Sequence, residues 1–189
     1  MLPIIVAFLL VTGARKGEAL GAKWDQFDLE KGIWRIPLSK SGAARYVPLS
    51  SVAINVLDLS RSLVNQLMGA KLIKSCPWVF PNPETGKPFV SIFRSWNTCR
   101  RKAGLETVRV HDLRHTFAST LVNSGVPIYE VQKILGHQNL LTTERYSHLA
   151  PRRLQDSAGV AGQRFGNLWN LSDKASTIFS SEILPELPP

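Results

Sequence analysis

Apolar and polar residues recur along this chain with two different periods, and each period predicts a type of secondary structure. The opening segment, Ile4–Val11, is almost wholly apolar and predicts a core helix that Gly13 interrupts. Thr12 is expected to cap a second helix, because threonine is a favoured residue before a first helical turn. That second helix carries Arg15, Glu18, Ala19 and Leu20.

Between Trp24 and Leu49 the pattern changes to that of strands. Residues 33–36 and 45–47 predict two strands, and residues 39–42 (SKSG) form a plausible hairpin loop between them. Lys40 would then project from the hairpin tip. A proline-rich loop over 77–88 is expected to contain a short strand at 78–80.

Helical spacing returns at 52–67, where one apolar stripe is predicted to consist of Val52, Val56, Leu59 and Leu63. Further helices are predicted over 91–103, 111–123 and 142–149, and another opens at Pro127 and closes at Gly136. The core side of the 111–123 helix is expected to hold Leu113, Phe117 and Leu121. The pattern therefore predicts a mainly α-helical α+β domain with a small antiparallel β-sheet.

Composition narrows the setting in which such a domain works. Hydrophobic residues make up 44% of the 189 residues, which favours a folded core over disorder. Lys and Arg together number 23 against 14 acidic residues, and the net charge of +9 suits a polyanionic partner. The two cysteines cannot build a disulfide framework or a zinc cluster, which indicates free thiols in a reducing cytoplasm. The apolar run at 2–11 is too short to span a bilayer, so no membrane association is expected.

Six polar residues lie at predicted helix starts, turns or the hairpin tip, where functional sites are commonly built. Their chemistry suits phosphoryl transfer, because planar guanidinium groups match the oxygens of a phosphodiester that gains negative charge. Nearby cations lower the pKa of a phenol, an imidazole can take its proton, and a lysine can protonate a leaving alkoxide. The six residues are Arg15, Lys40, His111, Arg114, His137 and Tyr146.

Five sequence motifs give the chain a resemblance to the tyrosine recombinases of the phage-integrase type. Residues 12–18 (TGARKGE) resemble the first arginine motif of that family, and residues 39–49 (SKSGAARYVPL) resemble its lysine hairpin. Residues 111–118 (HDLRHTFA) are similar to its His-x-x-Arg box, and residues 135–137 (LGH) and 144–148 (ERYSH) to its last two motifs. All five occur in the family's order, so the resemblance covers most of the chain and implies the tyrosine recombinase catalytic-domain fold.

The resemblance implies a role for each of the six residues. Tyr146 attacks the scissile phosphate of DNA, forms a 3′-phosphotyrosyl bond and releases a 5′-hydroxyl. Arg15 and Arg114 hold the non-bridging oxygens, and Lys40 is the general acid toward the leaving oxygen. His111 assists proton transfer at the nucleophile, and His137 hydrogen-bonds the phosphate.

Glu18 is expected to support Arg15, because its spacing of three residues puts both side chains on one helix face. The resemblance implies no metal, no ATP and no other cofactor. One further hypothesis is that Tyr146 stands away from the arginines in DNA-free protein. No chemical role is assigned to His115, which is expected to face the core.

The same resemblance implies a domain organisation and partners. Residues 1–164 are expected to be the catalytic domain, and residues 165–189 a tail that docks on a neighbouring subunit. The N-terminal core-binding domain of the family is expected to be absent. The implied partners are double-stranded DNA and further copies of the chain in a tetramer, in the cytoplasm and associated with the nucleoid. A charge-rich stretch is expected to track the DNA backbone through Arg94, Arg100, Arg101, Lys102 and Arg109.

Three alternatives remain open at the level of sequence. His111 and His115 have the spacing of a zinc-binding helix, with His137 as a third ligand, but this would leave Arg15 and Tyr146 unexplained. The helices around Gly125 and Gly136 could instead form a helix-turn-helix in a DNA-binding module without enzymatic activity. A type IB topoisomerase would share the tyrosine chemistry. The sequence names neither the DNA target nor the element that carries the gene.

Overall fold

The computed structural model describes residues 1–37, 44–68, 76–137, 143 and 146. They all belong to a compact unit, Met1–Leu149, so the expected boundary at residue 164 lies outside them. Helix α1 (Leu2–Thr12) ends at Gly13, whose φ of 61° is left-handed, and helix α2 (Lys16–Leu20) follows. The predicted pair of helices interrupted by a glycine is therefore confirmed.

Helix α1 lies at the centre of the core, which explains its almost wholly apolar sequence. The ring of Phe8 is fully buried and lies 5.3 Å from that of Trp34 and 5.1 Å from that of Phe80. Phe27 stacks on Trp34 at 5.2 Å with an interplanar angle of 6°. These aromatic contacts fasten α1 to the sheet. None of the helices in the described part of the chain is long and apolar enough to cross a membrane.

The prediction that Thr12 caps the second helix is wrong. Its hydroxyl donates to the carbonyl of Phe8 at 2.6 Å and so stays within α1. Arg15 occupies the N-cap position instead, and its backbone N–H donates to the Glu18 carboxylate at 2.8 Å. The end of α1 at Gly13 places Thr12 inside the first helix, where a threonine hydroxyl commonly bonds the carbonyl four residues earlier.

A three-stranded antiparallel sheet packs beside α1. Strand β1 (Phe27–Asp28) pairs with β2 (Ile33–Ile36), which pairs with β3 (Arg45–Pro48). The two predicted strands are confirmed, and β1 is an addition that follows a single 3₁₀ turn, Trp24–Gln26. The tip of the β2–β3 hairpin, with Lys40, lies outside the described residues.

Helix α3 (Ser51–Met68) is present, but the predicted apolar stripe is only partly right, because Val56 is buried whereas Val52 and Leu59 are more than half exposed. The buried face consists of Ala53, Val56, Leu57, Ser60 and Val64. Ser60 is completely buried because its hydroxyl donates to the carbonyl of Val79 at 2.6 Å. A count of apolar residues alone misses this face, since a satisfied hydroxyl and a small alanine occupy part of it.

The loop after α3 also differs from its prediction. The expected strand at 78–80 is wrong, because Trp78 makes only an isolated bridge to Lys23. The segment is nevertheless held by the main chain, since the N–H of Val79 donates to the carbonyl of Ala22 at 2.9 Å. Helix α4 (Phe93–Lys102) follows, and it begins later than the predicted start at residue 91.

Helices α5 (Asp112–Asn123) and α6 (Ile128–Leu135) complete the described elements. The predicted core side of α5 is partly wrong, because Phe117 and Leu121 are only half-buried. The buried positions are Leu113, Arg114, Ala118 and Val122. Most of the helix predicted over 142–149 lies outside the described residues. The predicted α+β class, mainly helical with a small antiparallel sheet, is confirmed.

Gly13 generates the first testable prediction. A Cβ at this position would lie 2.8 Å from Cε1 of Phe117, and the left-handed φ adds strain for any L side chain. Gly13→Ala should therefore lower the free energy of unfolding by about 1–3 kcal/mol, measured by urea titration. Gly17→Ala is the matched control, since a Cβ there meets nothing within 4 Å, and its stability should stay level or rise. Equal stabilities for Gly13→Ala and wild type would refute the close approach.

Candidate active site

The carboxyl end of helix α6 is where separate parts of the chain meet. Arg45 Nη1 donates to the carbonyl of Ile134 at 2.7 Å, and Arg114 Nη2 to that of Leu135 at 2.6 Å. Arg15 Nη2 donates to the next carbonyl, that of Gly136, at 3.4 Å. The last carbonyls of a helix have no helical N–H partner and carry partial negative charge, so they attract guanidinium groups. Three arginines that lie far apart in the sequence thereby bind the carbonyls of three consecutive residues.

Arg114 is the most deeply buried of these arginines, with 4% of its surface exposed. Its Nη1 also donates to the carbonyl of Gly13 at 2.6 Å, at the end of α1. The guanidinium therefore joins two helix C-termini. Burial lowers the pKa of Arg114 to about 10, and the charges of Arg15 and Arg45 act in the same direction. Arg114 nevertheless remains charged at neutral pH.

Glu18 links Arg15 to Arg45. Its Oε1 lies 2.9 Å from Arg15 Nη1, and its Oε2 lies 2.7 Å from Arg45 Nη2. Burial by itself raises the pKa of Glu18, but the hydrogen bonds and charge of Arg45, together with the bonds from Arg15, leave that pKa below its ordinary value. The carboxylate stays ionised and fixes the direction of both guanidinium groups.

Arg45 received no role from the sequence, although it belongs to the lysine-hairpin motif. Its side chain is only 9% exposed, and it lies against Gly136, where a Cβ would be 3.0 Å from Arg45 Nε. A signal was available, since Arg45 and the fully buried Val47 are two residues apart on one strand and so share a face. An arginine on a buried face requires a carboxylate or carbonyl partner.

Arg15, Glu18 and His111 line one concavity of about 540 Å³, together with Trp34 and other residues of the sheet region. His111 sits at the N-cap of α5 and is exposed. Its pKa is lowered by partial burial and by the charges of His115 and Arg114. His111 is therefore mainly neutral near pH 7.

Tyr146 lies beside α5, where its hydroxyl makes a short hydrogen bond with Nδ1 of His115. Only 6% of the tyrosine is exposed, and its ring centroid is 6.0 Å from that of His115. Its charge also acts on the pKa of Arg114. The hypothesis that Tyr146 stands away from the arginines in DNA-free protein stays a prediction. The expectation for His115 needs correction, because its ring is only half-buried and hydrogen-bonds the phenol.

His137 follows Gly136 directly, next to the carbonyls that the arginines bind. Its Nδ1 lies 2.9 Å from Oγ1 of Thr143, a fully buried residue. Its own carbonyl accepts a hydrogen bond from Gln132 Nε2 at 3.0 Å. Five of the six predicted residues (Arg15, His111, Arg114, His137 and Tyr146) are thus connected through α5 and the end of α6, and Lys40 is outside the described residues.

The residues expected to track the DNA backbone have different surroundings in the structure. Arg100 donates to the carbonyl of Val108 at 3.0 Å and to Asn97 Oδ1 at 3.1 Å, so its guanidinium serves the local fold. Arg109 forms an exposed ion pair with Asp112 at 2.9 Å. Arg94 lines a different cavity from the one that Arg15 lines. Exposed side chains without a described ion pair remain at Arg101 and Lys102.

The zinc alternative receives no support from the described part of the chain. No group of three or more His, Cys, Asp or Glu side chains there could hold a metal ion. The rings of His111 and His115 instead meet edge to face at 4.8 Å, and His137 binds Thr143. The histidines are thus engaged with protein groups.

Comparison with known proteins gives consistent matches over this region. Residues 2–153 match the phage integrase family. The integrase of Salmonella phage P22 is 34% identical over 176 residues, which are 86% of this chain and 43% of that protein. Tyrosine recombinase XerD of Shewanella oneidensis is 35% identical, over 80% of this chain and 50% of its own length. The chain thus spans about half the length of the curated relatives it matches.

Solved structures match as well. The catalytic domain of bacteriophage HP1 integrase has a TM-score of 0.60 and 27% identity, and the match covers 85% of this chain and 82% of that domain. The XerH site-specific recombinase, in a post-cleavage complex with its difH substrate, has a TM-score of 0.62 and 28% identity. That match covers 83% of this chain and 44% of XerH.

The buried ion pair of Glu18 and Arg45 generates a prediction on stability. Arg45→Ala should lower the free energy of unfolding by about 3 kcal/mol or more, because it leaves Glu18 and the Ile134 carbonyl short of a buried donor. Arg45→Lys should lose less, since it keeps the charge but not the fork. Asp28→Asn, which breaks an exposed ion pair with Lys31, is the control and should change stability little. Urea titration measures all three, and equal losses for Arg45→Ala and Asp28→Asn would contradict the prediction.

Glu18 generates a prediction on pH. Because its pKa is lower in the folded state than in the unfolded state, ionised Glu18 stabilises the fold above its ordinary pKa. That stabilisation is lost as the pH falls through the folded-state pKa. Glu18→Gln should therefore have a lower Tm than wild type at neutral pH, and the gap should narrow on acidification. Thermal unfolding between about pH 7 and about pH 3 checks this, and a gap independent of pH would refute the assignment.

Proposed function

The chain belongs to the phage integrase family of tyrosine recombinases, and from that premise we propose that it cuts and rejoins DNA strands as the catalytic domain of a site-specific recombinase. One observation carries the proposal. Arg15 and Arg114, 99 positions apart, donate to adjacent carbonyls at the end of α6, and the residue that follows Arg114, His115, hydrogen-bonds the hydroxyl of Tyr146. These contacts support a site in which two guanidinium groups and a phenol act on one phosphate.

The proposed reaction begins with attack of the Tyr146 oxygen on the scissile phosphate. A 3′-phosphotyrosyl bond forms as the bond to the 5′-oxygen breaks, and Lys40 protonates that oxygen. Arg15 and Arg114 stabilise the charge that develops on the non-bridging oxygens, and Glu18 orients Arg15. His137 donates to the phosphate, and His111 assists proton transfer. Attack by the 5′-hydroxyl of another strand reverses the step and completes the exchange.

This chemistry has a clear energetic basis. The phosphotyrosyl ester replaces one phosphodiester by another, so the bond energy needed for rejoining is retained and ATP is unnecessary. The two guanidinium groups supply the positive charge that a divalent cation provides in other phosphoryl-transfer sites. We therefore propose a reaction that requires neither a metal ion nor any other cofactor.

The partner that we propose is double-stranded DNA. The related XerH recombinase has been solved in a complex with its DNA substrate, and the net charge of +9 on this chain favours a polyanion. The domain boundary at residue 164, docking of the 165–189 tail and assembly into a tetramer on DNA belong to the same proposal. So does a location in the cytoplasm in association with the nucleoid.

For the path of the DNA outside the site, the proposal favours Arg101 and Lys102 over the other predicted residues. Both are exposed near the end of α4, whereas Arg100 is occupied by its own loop. Arg94 and Arg109 stay in the proposal as exposed cations, although Arg109 already forms an ion pair with Asp112. Phosphate contacts of this kind position a duplex without reading its sequence.

The proposal predicts a covalent intermediate at Tyr146. The probe is a nicked duplex whose sequence has been selected from a random library by covalent capture on the wild-type chain. Wild type should leave a denaturant-resistant protein–DNA adduct, and Tyr146→Phe should leave none, because it lacks the attacking oxygen. Tyr129→Phe makes the same chemical change at an exposed tyrosine and should keep wild-type yield.

The same assay separates the alternatives. Tight binding of the random library by wild type without covalent capture of any duplex would favour a DNA-binding module, and an adduct that persists in Tyr146→Phe would disprove the assigned nucleophile. An adduct that leads only to relaxation of one supercoiled duplex, without exchange between two duplexes, would favour a type IB topoisomerase.

A further inference from the structure

The imidazole of His137 is held against the buried hydroxyl of Thr143. Its Nδ1 lies 2.9 Å from Thr143 Oγ1, and Thr143 is completely buried. Within the part of the chain that the structure describes, this ring nitrogen is the only hydrogen-bond partner of the hydroxyl. Because a buried O–H without an acceptor lowers stability, the hydroxyl donates and Nδ1 accepts.

The direction of this hydrogen bond determines the tautomer of His137. A neutral imidazole carries one proton, and a ring nitrogen that accepts a hydrogen bond leaves that proton on the other nitrogen. The proton of neutral His137 therefore lies on Nε2, which makes this nitrogen a donor. A phosphate oxygen requires a donor, whereas the opposite tautomer would present a lone pair to it.

The main chain of His137 is fixed as well. Its backbone N–H donates to the carbonyl of Gln132 at 3.2 Å, and its carbonyl accepts from Gln132 Nε2 at 3.0 Å. These bonds hold the residue directly after Gly136, whose carbonyl accepts from Arg15. The bond to Thr143 adds the constraint on the side chain, because it sets the orientation of the ring.

Thr143 also contacts the main chain of the predicted nucleophile. Its carbonyl accepts a hydrogen bond from the backbone N–H of Tyr146 at 3.0 Å. The side chain of Thr143 thus binds the imidazole of His137, while its main chain binds Tyr146. One buried threonine therefore connects the group proposed to bind the phosphate with the group proposed to attack it.

We infer that Thr143 is a positioning residue for strand cleavage. Its hydroxyl holds His137 as the tautomer protonated on Nε2, in the orientation that donates to the scissile phosphate. Thr143 itself touches none of the reacting atoms and acts through His137. The inference rests on the proposed recombinase function.

Rates of adduct formation on the captured nicked duplex, under single-turnover conditions, test the role of the hydroxyl. Thr143→Val keeps the shape of the side chain and removes its O–H, so cleavage should slow by about 10–100-fold. Thr143→Ser restores a hydroxyl and should retain most of the wild-type rate. Thr120→Val is the matched control, because the Thr120 hydroxyl is exposed and donates to the carbonyl of Thr116 on its own helix. It should cleave like wild type.

A double-mutant cycle with His137→Ala separates positioning from a merely structural role. If Thr143 acts through His137, Thr143→Val should cause no further loss of rate once the imidazole is absent. A structural role would slow cleavage by the same factor in both backgrounds. Equal factors in the two backgrounds, or cleavage by Thr143→Val at the wild-type rate, would overturn the inference.

The ring nitrogens of His137 give a second test that does not depend on cleavage. In nitrogen NMR spectra on the alkaline side of the ring's titration, Nδ1 should give the signal of an unprotonated nitrogen and Nε2 that of a protonated one. His137→Ala assigns the signals, and the Nδ1 signal should shift in Thr143→Val. A protonated Nδ1 in wild type disproves the assigned tautomer. Failure of wild type to form an adduct would instead sink the proposed function, while these spectra would still decide the tautomer.

Discussion

The carboxyl end of helix α6 is the constraint on which the site depends. Its carbonyls at Ile134, Leu135 and Gly136 lack helical partners, and they accept hydrogen bonds from Arg45, Arg114 and Arg15 respectively. Each arginine comes from a different element, so one helix end determines where β3, α5 and the start of α2 meet. The same turn continues into His137, whose backbone N–H donates to the carbonyl of Gln132 at 3.2 Å.

Burying several cations close together has an electrostatic cost. The buried Glu18 carboxylate neutralises part of the charge of Arg15 and Arg45, while Arg114 relies on the carbonyls of Gly13 and Leu135. Burial and the neighbouring arginines accordingly lower the pKa of Arg114 to about 10. A site with more positive than negative charge, held in position by the backbone, needs little reorganisation to bind a phosphodiester. The affinity for a phosphodiester that we propose for this site has the same cause as the lowered pKa of Arg114, namely the excess of positive charge.

Helix α5 brings acid–base groups to the same place. Its N-cap residue His111 lines the concavity, Arg114 is buried one turn later, and His115 contacts Tyr146. Four successive residues of a helix point in different directions, so one turn presents a guanidinium inward and an imidazole toward the tyrosine.

The chain's own sequence was sufficient for the local features. The period of apolar residues predicted α1, β2 and β3, the spacing of three residues predicted the Arg15–Glu18 pair, and five motifs in order indicated the family. Tertiary structure decided the rest, as with the partnership of Arg45 and Glu18, the buried Ser60 on α3 and the contact of His115 with Tyr146. The reason is that spacing specifies neighbours within a turn or strand, whereas contacts across 27 or 31 positions exist only after the elements pack.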